Sequence, residues 1–286
     1  MGKFYDLFKL AQTNEGKLDA NQAPEGVAFT PSTGLDAVGL DTAPPVVAVA
    51  DPSVLSSDNI DLRLVTLVQP HSPAAEYFKL LRAKLFCASS VCRAQTIMVT
   101  SAQPLDGKSV VASNLAVSIA QGINEFVLLM DCDLRTPSLH ELWGLQGSQG
   151  IRDHLERGNS LGTLMLKTPV KKLTLLPAGR PPPNPSELLS SERMRLLIEE
   201  VKSRYPDLYI VVDTPPATFA AEGSFIADMV DGVLVVVRAG KTPRELIVEA
   251  VENIGRDKVL GIVFNANDEP KKDFKYYYQH YSKERR

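Results

Sequence analysis

Eight residues, AQPLDGKS from Ala102 to Ser109, have the composition of a phosphate-binding loop, with Ala102 in the place of the first glycine. The apolar segment TIMVT precedes them and the helical pattern SVVASNLAVSIAQ follows, which makes a chance G-K-S the weaker interpretation. Loop N–H groups and a helix N-terminus would bind phosphate oxygens. Lys108 would reach the β- and γ-phosphates and the Ser109 hydroxyl would ligate Mg²⁺. The loop therefore predicts a site for ATP and Mg²⁺.

Acidic residues follow two other apolar segments. FVLLM leads into Asp131 and Asp133, and LYIVV leads into Asp213. Two carboxylates at alternate positions of a strand end point to the same side, where they can hold a metal ion or accept a proton. The alternative is that these are solvated loop acids, but a neighbouring phosphate-binding loop favours the chemical role. Asp213 is expected to hold Mg²⁺ or its waters.

The last sixteen residues, KKDFKYYYQHYSKERR, contain four of the eight tyrosines of the chain: Tyr276, Tyr277, Tyr278 and Tyr281. Aromatic and basic residues in one segment can bind anionic lipid or single-stranded nucleic acid. The segment can also be the last packed piece of the fold. A third interpretation, that these tyrosines are phosphate acceptors, depends on the rest of the chain.

Apolar runs and helical patterns alternate from Thr96 onwards. The runs TIMVT, FVLLM, KLTLLPA, LYIVV, GVLVVV and VLGIVF are continuous, so we expect strands that are buried on both faces. Their alternation with helices predicts right-handed crossovers and a parallel sheet. The predicted fold class is α/β, a doubly wound and mostly parallel sheet with helices on both faces. Its ligands should lie beyond the carboxyl ends of the strands.

Three further elements are predicted. Two lie before Thr96, and the third lies between the runs KLTLLPA and LYIVV. Leu62, Leu64 and Leu67 indicate a short strand. A helix begins after Ser72-Pro73 and runs through EYFKLLRAKLF. The pattern SELLSSERMRLLIEEVKSR predicts one long amphipathic helix.

Composition excludes several classes of protein. The 31 Lys and Arg against 34 Asp and Glu give a net charge of −3, which argues against a protein that coats nucleic acid by bulk charge. Three cysteines without a C-x-x-C pair and four histidines argue against a disulfide framework and a structural zinc site. No apolar run approaches the ~20 residues that span a bilayer, and the N-terminus has no secretory apolar core. We therefore expect a cytoplasmic protein.

Composition also divides the chain. Residues 1–12 predict a short amphipathic helix that docks on its own domain, on a partner or on a membrane. Residues 13–57 are rich in Pro, Ala, Gly, Ser and Thr and predict a flexible linker. Residues 58–270 form the predicted catalytic domain, and residues 271–286 form the tyrosine-rich tail.

The three motifs together resemble the bacterial tyrosine kinases of capsule and exopolysaccharide synthesis, P-loop proteins related to the MinD/ParA ATPases. The Walker A, A′ and B elements of that family correspond to AQPLDGKS, LLMDCDLR and IVVDTPP. The segments LLPAGRPPPNPSELL and VDGVLVVVRAGKT also resemble it, and the resemblance extends from about residue 60 to the C-terminus. It implies an autokinase that transfers the γ-phosphate of ATP to tail tyrosines of a neighbouring subunit.

The resemblance assigns roles to individual residues. Asp133 is the base that we favour over Asp131, and the predicted catalytic residues are Lys108, Asp131 and Asp133. The predicted Mg²⁺ ligands are Ser109, Asp131 and Asp213. The predicted nucleotide contacts are Asp106, Gly107, Lys108, Ser109, Val110, Arg135 and Asn265. For Asn265, which matches a position that reads adenine, a turn-forming role is the alternative.

A self-association motif of the family, E-x-x-R-x-x-R, corresponds to Glu76, Lys79 and Arg82. Spacings of three place these side chains on one helix face, and a solvated charged face is the alternative. Lys79 replaces the first arginine of the motif, so a bidentate contact would be lost and ring assembly weakened. Leu105 stands where the family usually has glycine, and Glu222 stands where it usually has aspartate. If residue 105 needs a positive φ, leucine costs on the order of 1–2 kcal/mol there.

Two other functions compete with the kinase. One is a MinD/ParA-like ATPase switch, which uses a lysine near the start of the loop where this chain has Gln103. The other is a nucleotide-binding adaptor of a polysaccharide export complex. For the kinase, the resemblance implies that the chain binds the cytoplasmic tail of a membrane chain-length regulator. It also implies a cognate tyrosine phosphatase and assembly into a homo-oligomeric ring. It implies no nucleic acid partner, and a location at the inner face of the plasma membrane.

Overall fold

The structure is a computed structural model that describes residues 59–87, 94–145, 149–205, 207–220 and 222–266. The predictions for residues 1–12, for the linker 13–57 and for the tail 271–286 lie outside the described residues. No helix in the described ranges is long and apolar enough to cross a membrane.

One sheet forms the centre of the described chain. Its strands are β1 (Thr96–Ser101), β2 (Phe126–Asp131), β3 (Leu166–Lys167), β4 (Leu173–Leu176), β5 (Leu208–Asp213), β6 (Gly232–Arg238) and β7 (Val259–Asn265). They lie in the order β3-β4-β2-β5-β1-β6-β7, and every neighbouring pair is parallel except β3 and β4. The predicted mostly parallel α/β sheet is confirmed.

Helices follow most strands, as parallel connections require. They are α1 (Val65–Val68), α2 (Pro73–Cys87), α3 (Lys108–Ala120), α4 (Leu139–Leu142), α5 (Ile151–Arg157), α6 (Leu161–Leu164), α7 (Pro185–Leu189), α8 (Glu192–Arg204), α9 (Glu222–Met229) and α10 (Arg244–Ile254). A short 3₁₀ turn spans Arg256–Lys258.

Apolar cores lie on both faces of the sheet. On one face, α3 packs with Leu85 of α2 and Trp143 over alternate residues of the strands. On the other face, α5, α7, α8, α9 and α10 pack over the remaining strand residues. Alternate strand residues point to opposite faces, so continuous apolar strands such as β2 and β5 supply both cores.

The strand predicted around Leu62, Leu64 and Leu67 is wrong, because this segment contains the short helix α1. Asn114 of α3 explains the difference. Its side-chain oxygen accepts hydrogen bonds from the backbone N–H of Thr66, at 2.9 Å, and from the Thr66 hydroxyl, at 2.8 Å. The segment therefore packs on α3 instead of pairing with the sheet, and Leu64 is fully buried there.

The long amphipathic helix predicted from Ser186 onwards is in fact two helices, α7 and α8. Ser191 lies between them in an extended conformation, and its hydroxyl accepts a hydrogen bond from the N–H of Met194. A serine that caps a helix N-terminus in this way starts a new helix. The apolar pattern continues across the break because both helices bury their faces against the same core.

The prediction that the apolar strands are buried on both faces is wrong for β7. Its residues alternate between half-buried and exposed, and Leu260, Ile262 and Phe264 are all exposed by 40% or more. The strand is at the edge of the sheet and pairs only with β6 among the described residues. The composition of VLGIVF alone does not reveal its edge position.

Candidate active site

The sheet register brings the two acidic segments together. Asp131 and Asp213 are direct neighbours at the carboxyl ends of β2 and β5, and both are fully buried. The strand β1, which leads into the AQPLDGKS loop, is the other neighbour of β5. The loop and the carboxylates therefore meet at one edge of the sheet, where ligands bind in this class of fold.

Lys108 lies among these carboxylates. Its Nζ atom is 2.8 Å from Oδ2 of Asp133, 3.9 Å from Oδ1 of Asp213 and 3.3 Å from the Ser109 hydroxyl. Asp133 is itself buried and has further donors in the backbone N–H of Thr136, at 3.0 Å, and the Thr136 hydroxyl, at 3.2 Å. Three of the predicted site residues thus form one buried cluster of charges.

The charged groups of this cluster shift one another's pKa values. Burial lowers the pKa of Lys108, but Asp213, Asp133 and Asp131 outweigh this effect, so the net pKa is raised. Burial, and next the charge of Asp213, raise the pKa of Asp131 well above its usual value. Burial also raises the pKa of Asp213 to about 6, although the nearby Lys108 opposes it. A bound cation would favour the ionised form of both carboxyls.

The loop before Lys108 has a backbone that phosphate binding requires. Gly107 has a φ of 93°, and a Cβ at this position would collide with the side-chain amide of Asn265. The N–H groups of Lys108, Ser109 and Val110 lie in the first turn of α3, where no helical carbonyl precedes them. Such unpaired donors at a helix N-terminus bind phosphate oxygens.

Asp106 holds this loop in shape from within. The side chain is buried, and its oxygens accept hydrogen bonds from the side-chain amide of Gln103, at 3.2 Å, and the hydroxyl of Thr242, at 2.8 Å. Asn265, at the end of β7, donates to the carbonyl of Asp106 at 2.8 Å. Asp106 and Asn265, both predicted nucleotide contacts, therefore support the loop in this structure.

Arg135 lies beyond β2 and contacts residues far away in sequence. Its Nε donates to Oε1 of Glu222 at 2.8 Å, and one terminal nitrogen, Nη2, lies 3.3 Å from the Ser186 hydroxyl. The Ser186 hydroxyl also donates to the same Glu222 oxygen at 2.9 Å. The guanidinium is therefore held at one side while 52% of the side chain stays exposed.

The donor set fits Mg²⁺. Asp131, Asp213 and the Ser109 hydroxyl offer the hard oxygen ligands that this ion prefers. Both carboxylate oxygens of Asp213 are buried and neither has a donor at hydrogen-bonding distance in the described chain, although the Ser109 hydroxyl is near enough to lower the pKa of this carboxyl. No group of three or more His, Cys, Asp or Glu side chains forms a preformed metal cage in the described ranges.

Several residues of the site were not identified from the sequence motifs. Ser138 donates from its hydroxyl to the Ser109 hydroxyl at 2.9 Å, and Thr136 holds the Asp133 carboxylate. Thr242, in the connection that follows β6, donates to Asp106 of the phosphate-binding loop. The pattern R-T-P-S after D-C-D could have indicated the first two, because both hydroxyls lie within seven residues of Asp131. The contacts of Thr242, Ser186 and Glu222 are long-range.

The self-association residues all lie on α2. Lys79 pairs with Glu76 at 2.6 Å, and Arg82 donates to the backbone carbonyl of Ser118 near the C-terminus of α3. Arg82 therefore stabilises contact between two helices of its own chain. The four tail tyrosines lie outside the described residues.

Comparison with known proteins places the chain in a family. No family model matches it. The tyrosine-protein kinase YwqD of Bacillus subtilis (strain 168) is 34% identical over 204 residues, which cover 71% of this chain and 85% of that protein. The tyrosine-protein kinase CpsD of Streptococcus agalactiae serotype III (strain NEM316) is 30% identical over 68% of this chain and 83% of its own length. The solved kinase domain of the Escherichia coli tyrosine kinase ETK matches with a TM-score of 0.66 at 28% identity, covering 73% of this chain and 83% of that domain. The chain belongs to the bacterial tyrosine kinase family.

Proposed function

We propose that this protein is an ATP-dependent tyrosine autokinase that phosphorylates the tail of a second copy of itself. The observation that supports this most strongly is the buried contact between Lys108 and Asp133 at the start of α3. It places a cation for phosphoryl oxygens beside a carboxylate that can accept a proton. A neighbouring phosphate-binding loop supplies the site for ATP.

The reaction begins when the triphosphate binds the loop and competes with Asp133 for Lys108. Lys108 then neutralises charge that develops on the transferred phosphoryl group. Asp133, released from the ion pair and still held by Thr136, accepts the proton of the attacking tyrosine hydroxyl. The new bond joins the tyrosine oxygen to the γ-phosphorus, and the bond from that phosphorus to the β,γ-bridging oxygen breaks.

Mg²⁺ in this site would neutralise phosphate charge and orient the phosphoryl group for in-line transfer. Ser109, Asp131 and Asp213 would hold it or its waters. In the absence of a cation, burial raises the pKa of both carboxyls. Their ionised forms are therefore disfavoured until a cation binds. Asn265 would contact the base at the other side of the loop.

The acceptor tyrosines are Tyr276, Tyr277, Tyr278 and Tyr281, presented by a neighbouring copy in a ring. The family motif at Glu76, Lys79 and Arg82 suggests how α2 contributes to this ring, although each of these residues also has a partner in its own chain. The four tyrosines of one tail could then be phosphorylated in succession.

The biological setting follows from the family. The kinase would control the chain length and export of an exopolysaccharide or capsule, bind the cytoplasmic tail of a membrane chain-length regulator, and be reversed by a tyrosine phosphatase. It would be a cytoplasmic protein, peripheral to the inner face of the plasma membrane, with residues 1–12 as the docking segment. A variant that lacks residues 1–12 and is still recruited to the membrane would contradict that role.

One alternative has a specific observation in its favour. Leu105 adopts a φ of 67°, a conformation that leucine avoids, within the phosphate-binding loop. A loop under strain would suit an adaptor that binds nucleotide and transfers nothing. The MinD/ParA-like switch is less well supported, because the Gln103 side chain is bonded to Asp106 within its own loop.

Intact-mass and phosphotyrosine analysis of the purified protein with Mg·ATP tests the kinase directly. We expect phosphate in the 276–281 cluster, and none in Lys108→Met or in a variant with all four tail tyrosines changed to Phe. Nucleotide binding without any phosphotyrosine would overturn the proposal and leave the adaptor. Phosphate-releasing turnover without phosphotyrosine would favour the switch.

A further inference from the structure

Glu222 is a fully buried acid whose position the catalytic steps do not explain. It begins α9, and its Oε1 atom accepts hydrogen bonds from Arg135 and from Ser186 of α7. Its second oxygen, Oε2, is buried and has no hydrogen-bond partner in the described chain. A carboxylate buried in this way is costly unless an ion pair compensates it. Its one ion-pair partner among the described residues is Arg135.

The three side chains join three separate parts of the fold. Arg135 follows β2, Ser186 lies on α7 and Glu222 lies on α9. Two nitrogens of the guanidinium, Nε and Nη2, are used in these contacts. The remaining nitrogen, Nη1, forms no hydrogen bond within the described residues, and half of the side chain is exposed. The arrangement therefore holds a planar cation in one orientation and leaves donors available to a ligand.

The sheet order gives the side of the site on which this cation lies. The phosphate-binding loop follows β1, which lies between β5 and β6. Asn265 ends β7, on one side of that loop, whereas Arg135 follows β2, on the other side. If the base of ATP lies towards Asn265, the terminal phosphate lies towards Lys108, Asp133 and Arg135.

We propose that Glu222 and Ser186 are positioning residues that orient Arg135 towards the terminal phosphate of bound ATP. This inference rests on the nucleotide site of the proposed function and adds a specificity to it. An oriented guanidinium beside the γ-phosphate would favour the triphosphate over the diphosphate. ADP would then leave the site more readily after transfer, because it makes no contact with Arg135.

Direct binding of two nucleotides tests this inference without using kinase activity. We would measure the affinities of Mg·ADP and of a non-hydrolysable Mg·ATP analogue by titration calorimetry. The variants are Glu222→Gln, which keeps the shape and removes the charge, and Ser186→Ala. Glu187→Gln, an exposed acid on α7 beside Ser186, is the matched control. Thermal unfolding of each variant shows whether it is folded.

We expect Glu222→Gln to lower the affinity for the ATP analogue about tenfold and the affinity for ADP by less than about twofold. The reason is that a charge-assisted contact is lost only for the triphosphate. Glu222→Asp keeps the charge and should recover part of the loss. Ser186→Ala should show the same selectivity with a smaller change, and it keeps the test valid if Glu222→Gln does not fold. Equal weakening of both nucleotides, or no weakening of either, would overturn the inference.

The two proposals can fail separately. A protein that makes no phosphotyrosine but loses only ATP-analogue affinity in these variants would contradict the kinase and support the positioning role. A protein that phosphorylates its tail, and whose variants bind each nucleotide as tightly as the native protein does, would support the kinase and contradict the positioning role.

Discussion

Leu105 is the most strained described residue of the active-site loop. Its φ is 67° and 87% of the residue is exposed, so no packing compensates for the unfavourable backbone. Glycine tolerates this conformation, although it also increases the entropy of the unfolded chain. The expectation from the sequence that a leucine here would be strained if its φ were positive agrees with the structure.

We predict that Leu105→Gly raises the free energy of unfolding by about 0.5–1 kcal/mol, the strain that is relieved less the added entropy of the unfolded chain. Urea denaturation measures the change. Ile123→Gly is the matched control, since Ile123 is also an exposed apolar residue but does not have a positive φ. A destabilised Leu105→Gly would show that the side chain has a favourable role which its exposure hides.

Asp213 gives a prediction about pH. Its pKa is raised from 3.8 to about 6 by burial, so between these values the folded protein holds a proton that the unfolded chain has lost. The free energy of unfolding of the metal-free protein should therefore fall as pH rises from about 4 to about 6, and this contribution should then level off. Added Mg·ATP should stabilise the protein most above pH 6, where the carboxylate is ionised.

Thermal unfolding across this pH range, with and without Mg·ATP, checks both statements. Asp213→Asn should reduce the slope in the nucleotide-free protein, and the raised pKa of Asp131 accounts for what remains. Asp207→Asn, at an exposed acid directly before the same strand, should leave the slope unchanged. An unchanged slope in Asp213→Asn would mean that another group, and not Asp213, titrates in this window.

At the scale of the elements, the connection between β6 and α10 supports the phosphate-binding loop. The Thr242 hydroxyl donates to Asp106 at 2.8 Å and accepts a hydrogen bond from the N–H of Arg238 at 2.8 Å. We predict that Thr242→Val, which keeps the shape, lowers the free energy of unfolding by about 1–2 kcal/mol and weakens ATP binding. Thr242→Ser keeps both hydrogen bonds and should be close to the native protein.

Chemical denaturation and calorimetric titration of these two variants measure the effect. If Thr242→Val keeps the native nucleotide affinity and Thr242→Ser loses it, the methyl group and not the hydroxyl supports the loop. That outcome would contradict the role assigned to the contact with Asp106.

The sequence predicted those elements whose local pattern agrees with their environment. Buried strands such as β1, β2 and β5 are continuous apolar runs, and the loop and acids at their ends follow from the motifs. The segment around Thr66 was predicted incorrectly because its structure depends on Asn114, 48 residues away. The contacts of Glu222 with Arg135 were not predicted for the same reason, since they join residues 87 positions apart.

At the scale of the whole molecule, one sheet edge collects every charged group that the proposed reaction needs. Lys108, Asp131, Asp133 and Asp213 come from the ends of three neighbouring strands, β2, β5 and β1. The proposed acceptors are in residues 271–286, far from this edge in sequence. The central claim is that the site of one copy acts on the tail of another.

Mixing two variants tests this claim most directly. One chain has Lys108→Met and an intact tail, and the other has an intact site and Phe in place of Tyr276, Tyr277, Tyr278 and Tyr281. After incubation with Mg·ATP, mass spectrometry of each chain shows where phosphate has been added. We predict phosphate on the tail of the Lys108→Met chain in the mixture and on neither chain alone. An unmodified Lys108→Met tail in the mixture, under conditions in which the native protein phosphorylates itself, would contradict transfer between subunits.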